Sequence, residues 1–303
     1  MKRSLPFKKR STLKPGLSSS SDTPLIHTPV EKTKLILERM AEGVYLDDPV
    51  LAVKDQLDTD LDPWQQKAIT QLFKGKKQRV SIRAGHGSGK TKLSSIVATY
   101  FFNNYQPSKI IVTGPSSRQT RLQFWSYLND SWQKNFLNAN IEWLKTKMFV
   151  KGFEEAWFVA WVASKNPKNA EGFHDENLLW IIEEAKGVAD AVFEGVQGAL
   201  SQANNFFWIS STCGPPLGYF YESQITRKDQ WDAFKVPSWE SPRVSPKQIE
   251  MWRNEWGEDS PVYQARVAAE FPDTMDSLLI PYSHLLKSLD PDPEDADDIE
   301  EAA

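Results

Sequence analysis

The sequence predicts an α/β domain in which a mostly parallel central sheet is flanked by helices. Three observations lead there. Short β-type runs alternate with helical segments, a glycine-rich loop joins one such strand to one such helix, and an apolar run ends in two carboxylates.

Along the chain, helical periodicity runs from about Val30 to Gly43, where the glycine ends it, and again from Trp64 to Phe73. β-type runs follow at Arg79 to Ile82, Lys109 to Thr113, Ala156 to Ala163, Leu178 to Ile182 and Phe206 to Ser210. Helical segments fit between several of them, at Lys90 to Asn104, Ser117 to Trp132 and Val188 to Gln202. Strands alternating with helices of this length mean βαβ units and a mostly parallel sheet. No internal repeat of solenoid or propeller period interrupts this pattern. The expected organisation is a disordered basic tail over residues 1–30, one domain over 31–275 that begins with a helical extension at 31–60, and a linker with an acidic disordered tail over 276–303.

Composition agrees with a folded domain. The chain has 303 residues, of which 40% are apolar and 25% charged, and twelve Trp is its one unusual count. No apolar run approaches the roughly 20 residues a membrane span needs, so no membrane association is expected. The single cysteine, Cys213, excludes an internal disulfide and a Cys-based zinc cluster and fits a reducing compartment. Lys2, Arg3, Lys8, Lys9, Arg10 and Lys14 have no apolar stretch behind them, so a secretory signal is not expected and a cytoplasmic location is. The net charge of -4 hides an asymmetry between this basic start and the acidic stretch from Asp290 onward. The body between them is nearly neutral, and charge alone does not point to nucleic acid.

The chemistry is concentrated after the first strand. Ala84-Gly85-His86-Gly87-Ser88-Gly89-Lys90-Thr91 is a phosphate-loop pattern with Ala at the first Gly position. Glycines let successive backbone N–H groups turn inward around an anion, and the helix N-terminus adds its positive end. Gly85 to Gly89 would thus cradle a nucleotide's phosphates, Lys90 would reach the β- and γ-phosphates, and the Thr91 hydroxyl would ligate Mg²⁺. The expected ligands are ATP and Mg²⁺.

A hydrolase of this class needs a second acidic site. Leu178-Leu179-Trp180-Ile181-Ile182-Glu183-Glu184-Ala185 supplies an apolar strand that ends in two carboxylates, with Glu183 expected at the metal and Glu184 expected to act as base on the lytic water. Glu183 stands where Asp is usual, so a longer arm must fit the same metal geometry. Together the two motifs specify a P-loop NTPase of the RecA/ASCE-like kind.

The ordered set of motifs resembles the ATPase domain of tailed-phage terminase large subunits. Gly172-Phe173-His174, Glu183-Glu184-Ala185, Ile209-Ser210-Ser211-Thr212 and Gly218-Tyr219-Phe220-Tyr221 carry the resemblance. Upstream, Asp62-Pro63-Trp64-Gln65 and Thr113-Gly114-Pro115-Ser116-Ser117-Arg118-Gln119 extend it, and downstream Ser241-Pro242-Arg243-Val244-Ser245, Glu255-Trp256-Gly257-Glu258 and Arg266-Val267-Ala268-Ala269-Glu270-Phe271-Pro272 do so. It covers about Leu61 to Pro281.

The resemblance implies that Trp64 and Gln65 hold the adenine, that Ser211 and Thr212 couple hydrolysis to movement, and that an arginine joins the transition state. Arg83, Arg118 and Arg121 are the candidates. His86 lies where relatives often have Arg, so that charge is lost at neutral pH unless the imidazole is protonated. It further implies a motor packaging double-stranded DNA through backbone contacts, working as a homo-oligomeric ring on a portal with a small terminase subunit, in the cytoplasm of an infected bacterium. The family's nuclease part is not expected in this polypeptide, since the acidic run from Asp290 is too short to form it, and DNA cleavage is expected from a separate chain or not at all. Two other readings stand beside the motor: a helicase-like DNA-dependent ATPase, and a non-catalytic ATP-binding regulator. Trp125, Trp132, Trp143, Trp157 and Trp161 are read as packing residues, His27, His174 and His284 as too scattered for a metal, and Cys213 as a small buried residue.

Overall fold

The structure, a computed structural model, describes residues 29–115, 118–135, 140–164 and 172–273, with residues 118–120 in their backbone alone. The expected tails, His27, His284 and the Arg118 side chain lie outside the described residues.

Four helices come first: α1 (Pro29–Ala41), α2 (Val44–Asp47), α3 (Pro49–Leu57) and α4 (Pro63–Lys74). Their boundaries are set locally. Gly43, at φ +76°, separates α1 from α2, and the Asp48 carboxylate caps α3 by accepting from the amides of Val50 and Leu51. Pro49 and Pro63 occupy first-turn positions where no amide hydrogen is needed.

Next come β1 (Arg79–Ala84), α5 (Lys90–Asn104), β2 (Lys109–Thr113), α6 (Arg118–Gln133), β3 (Ile141–Trp143), β4 (Lys147–Val150), β5 (Phe158–Trp161) and β6 (Asn177–Glu183). The described chain closes with α7 (Asp190–Ala199), β7 (Asn204–Ser211), α8 (Gly218–Ile225), β8 (Asp232–Val236), α9 (Pro246–Trp256) and α10 (Pro261–Arg266).

The eight strands form one sheet in the order β3-β4-β5-β2-β6-β7-β1-β8. Pairing is parallel from β5 to β8, and β4 runs antiparallel to both β3 and β5. The strand that carries Ser211 therefore lies between the phosphate-loop strand and the acidic strand.

Strand periodicity divides the core in two. Leu179 and Ile181 of β6 join the cluster under α3, α4, α5 and α6, while Leu178, Trp180 and Ile182 join the one under α7 and α8. Because successive strand residues face opposite ways, a continuous apolar run is what a strand covered on both faces requires.

The short hairpin β3-β4 and the edge strand β8 are absent from the sequence-based reading. Three to five residues with at least two incompletely buried positions each carry too little periodicity to separate from loop. The run expected over Ala156 to Ala163 contracts to Phe158–Trp161, and the helix expected over Val188 to Gln202 contracts to Asp190–Ala199. Trp132 is fully buried, and Trp125, Trp143, Trp157 and Trp161 pack partly buried against the same core. Among the described residues no helix is long and apolar enough to cross a membrane.

Candidate active site

Parallel pairing brings the C-terminal ends of the central strands to one edge. Register sets Glu183 opposite Ser210, Arg83 opposite Ser211 and Ala84 opposite Val236. In open parallel sheets this edge is where ligands bind.

The loop between β1 and α5 is held from behind. The Gly85 amide donates to the Val236 carbonyl at 2.9 Å and the His86 amide to the Arg266 carbonyl at 2.6 Å. Ser238 Oγ donates to the His86 carbonyl and Ser241 Oγ to the Gly87 carbonyl. Gly87 and Gly89 adopt φ of +72° and +86°, a region only glycine enters freely, and Gly89 is the N-cap of α5. Ala84 replaces the first glycine without strain because it is the last residue of β1 and keeps ordinary extended backbone. In front of the loop lies a cleft of about 310 Å³, lined by residues 87–92, by Gln123 and Tyr127 of α6, and by Arg243.

The acidic strand meets this loop directly. The Thr91 hydroxyl donates to Glu183 Oε2 at 2.8 Å and Ser210 Oγ to Glu183 Oε1 at 3.2 Å, so the longer glutamate arm spans the distance to the loop. Burial pushes the Glu183 carboxyl up, against the hydrogen bonds from Ser94 and Thr91 that favour its ion. A cation beside it would restore the ionised form. These two hard oxygen donors, side by side and one of them short of positive charge, fit Mg²⁺. Among the described residues no cluster of three or more His, Cys, Asp or Glu forms a separate metal site.

Glu184 leaves the strand at φ +49°, a left-handed conformation disfavoured for a residue with a side chain. Lys90 Nζ stands 3.2 Å from its Oε1, and Ser211 Oγ donates weakly to its Oε2 at 3.4 Å. Burial pushes this carboxyl up, but the Lys90 ammonium, with Lys186 and Ser211 behind it, more than offsets that and holds it below the usual carboxylate value. The carboxylate is thus an ion at neutral pH, as a base must be. Thr212 Oγ1 accepts from Lys186 Nζ at 2.6 Å, and the same ammonium reaches the Cys213 carbonyl at 3.1 Å. Burial, then Lys90 and Arg266, lower the His86 imidazole below its ordinary value, so that this loop position is uncharged at neutral pH.

Three of the expected site residues are engaged elsewhere in this structure. Trp64 is packed into the core under α4 and does not line the cleft, because the apolar face of α4 turns it inward. Gln65 is also buried, and its side-chain oxygen accepts from the Asp62 amide, closing the first turn of α4. Arg83 pairs with Glu270 at 3.2 Å and lies over the Phe271 ring, committed within its own chain. Arg121 remains on α6 with its Nε buried and without a hydrogen-bond partner. The residues missed were Gln123, Tyr127 and Arg243. No spacing rule marks them, since each reaches the cleft through tertiary packing.

No family model matches the chain. It is 30% identical over 248 residues to the probable terminase large subunit of Enterobacteria phage P7, a match that takes in 76% of this chain and 50% of that protein. The chain therefore spans about half the length of the curated relative it matches. Among solved structures, the large terminase of a thermophilic bacteriophage superposes with a TM-score of 0.60 at 11% identity, over 71% of this chain and 54% of that one. That protein has also been solved in complex with ADP and with ATP-γ-S. The ATPase domain of the Thermus phage P74-26 large terminase superposes with a TM-score of 0.51 at 16% identity, over 67% of this chain and 92% of that domain. At such identities the superpositions show a shared fold.

Proposed function

The chain is a relative of the terminase large subunits built on the fold of their ATPase domain, and from this premise we propose that it is an ATP-hydrolysing motor subunit that drives double-stranded DNA into a viral procapsid. The observation that carries the reading is that Lys90 and Thr91 line one cleft and each meets a carboxylate of the acidic strand's end, Lys90 with Glu184 and Thr91 with Glu183.

In this reading the amides of residues 87–91 surround the β-phosphate, and the α5 N-terminus adds its positive end. Lys90 exchanges Glu184 for the β- and γ-phosphates. Thr91 and Glu183 would hold Mg²⁺, which supplies neutralising charge on the phosphates when bound. Glu184, freed from Lys90 and left to the burial that raises its affinity for a proton, orients a water on the γ-phosphorus and takes its proton. The new P–O bond forms as the bond to the β,γ-bridging oxygen breaks, and ADP leaves with that electron pair. Ser211 bonds to Glu184 and Thr212 to Lys186, so Ser211 of the coupling motif would sense the release of Glu184 from Lys90. DNA would be gripped along its backbone by an assembled ring on a portal, with a small terminase subunit presenting it. An arginine from a neighbouring subunit, Arg118 or Arg121, would complete the site.

ATP turnover with and without double-stranded DNA tests the proposal. The parent is expected to hydrolyse ATP with stimulation by DNA, and Glu184→Gln to lose about 10²–10⁴-fold in rate while still binding nucleotide. A parent that binds ATP but never turns it over would favour the regulator reading.

A further inference from the structure

Arg243 sits in the turn between β8 and α9, far along the chain from both sequence motifs of the site. Its turn is pinned to the phosphate loop by the Ser241 bond to the Gly87 carbonyl. The position of Arg243 is therefore set by the scaffold. Its guanidinium lies over the N-cap of α5: a Cβ added at Gly89 would stand 3.1 Å from Cζ and 3.3 Å from Nε and Nη2.

Electrostatically this is an odd place for a cation. The N-terminus of a 15-residue helix is already a positive end, and Lys90 and Lys92 line the same cleft. Asp62 is the acid opposing Arg243, and it takes Nη1. Nη1 also reaches Ser241 Oγ at 3.4 Å, while among the described residues Nε and Nη2 have no hydrogen-bond partner. Ser88 Oγ, in the adjacent loop, is likewise buried without one. A guanidinium with two free donors, a pair of lysines and an orphaned hydroxyl around one cleft make a site for a polyanion.

We propose that Arg243 binds the phosphate chain of the nucleotide in cis, with Asp62 as the group that holds it ready. This rests on the nucleotide-binding reading above and adds to it a residue neither motif contains. Because Asp62 also starts α4 and its amide donates to the Gln65 side-chain oxygen, engagement of Arg243 would be felt at that helix.

The test is titration of the full chain with a fluorescent ATP analogue, with unlabelled ATP and adenosine as competitors, and thermal melting of each variant alongside. Arg243→Ala is expected to weaken the analogue and ATP tenfold or more while adenosine competes as before, since only phosphate contacts are lost. Arg243→Lys should recover part of the affinity by restoring the charge. An Arg243→Ala protein that binds as tightly as the parent, or an Arg243→Lys protein that melts like the parent yet recovers nothing, overturns the assignment and leaves the function standing. A parent that binds no nucleotide while melting cooperatively overturns both.

Discussion

Lys90 and Glu184 form an ion pair, Nζ to Oε1 at 3.2 Å, between the residue that should grip the phosphates and the one that should activate water. Each is a counter-charge to the other, so a change in either alters the surroundings of both. Lys90→Ala removes a charge-assisted contact to the nucleotide and is expected to weaken ATP binding by about 10- to 100-fold. Isothermal titration checks this, and parent-like affinity would contradict it.

His86 should give the protein an acid-sensitive stability. Its folded pKa lies below its ordinary 6.5, through burial first and then through Lys90 and Arg266, with Lys186 adding to the effect and Glu184 opposing it. The unfolded chain therefore takes up the proton first, and stability present above pH 6.5 is lost as pH falls through that value toward the folded pKa. Melting temperatures of the parent should drop from about pH 7.5 to about pH 5.5, and His86→Asn should flatten that drop. Parallel curves for the two proteins would refute it.

Cys213 should be chemically silent. Burial pushes its thiol up to about 12, so the thiolate fraction at pH 8 is on the order of 10⁻⁴. Ellman's reagent should titrate no thiol in the native protein and one per chain in denaturant.

Two glycines should respond in opposite directions to alanine. A Cβ at Gly85 would stand 2.3 Å from Ser238 Oγ and 2.7 Å from the Val267 carbonyl, and the backbone partners cannot swing away. Gly85→Ala should cost about 1–3 kcal/mol, read from chemical denaturation. Gly198 is exposed on α7 with nothing within 4 Å of an added Cβ. Gly198→Ala should stabilise by about 0.5–1 kcal/mol.

Much of this site is legible in the order of residues. The phosphate loop, its flanking strand and helix and the doubly covered acidic strand occupy the segments their patterns indicate, with α5 at Lys90–Asn104. Asp62-Pro63-Trp64-Gln65 is where the sequence reads two ways. Those four residues also spell a helix start, with an acidic cap, proline in the first turn and glutamine at the third position, and the fold uses Gln65 in that local role. Trp64 follows the apolar face of α4 inward. A short motif cannot say whether its side chains serve the helix they begin or a ligand beyond it.

Local rules settle local matters. Glycine's freedom at positive φ at Gly87 and Gly89, and the strand period that splits Leu178 to Ile182 between two cores, depend on residues adjacent in the chain, so the order of residues is enough to dictate them. Which strand lies beside which, that Thr91 meets a carboxylate 92 residues away, and that Arg243 reaches back 181 residues to Asp62 depend on how layers pack. No period in the sequence encodes those distances, because the contacts are made by surfaces that exist only once the sheet has been covered on both faces.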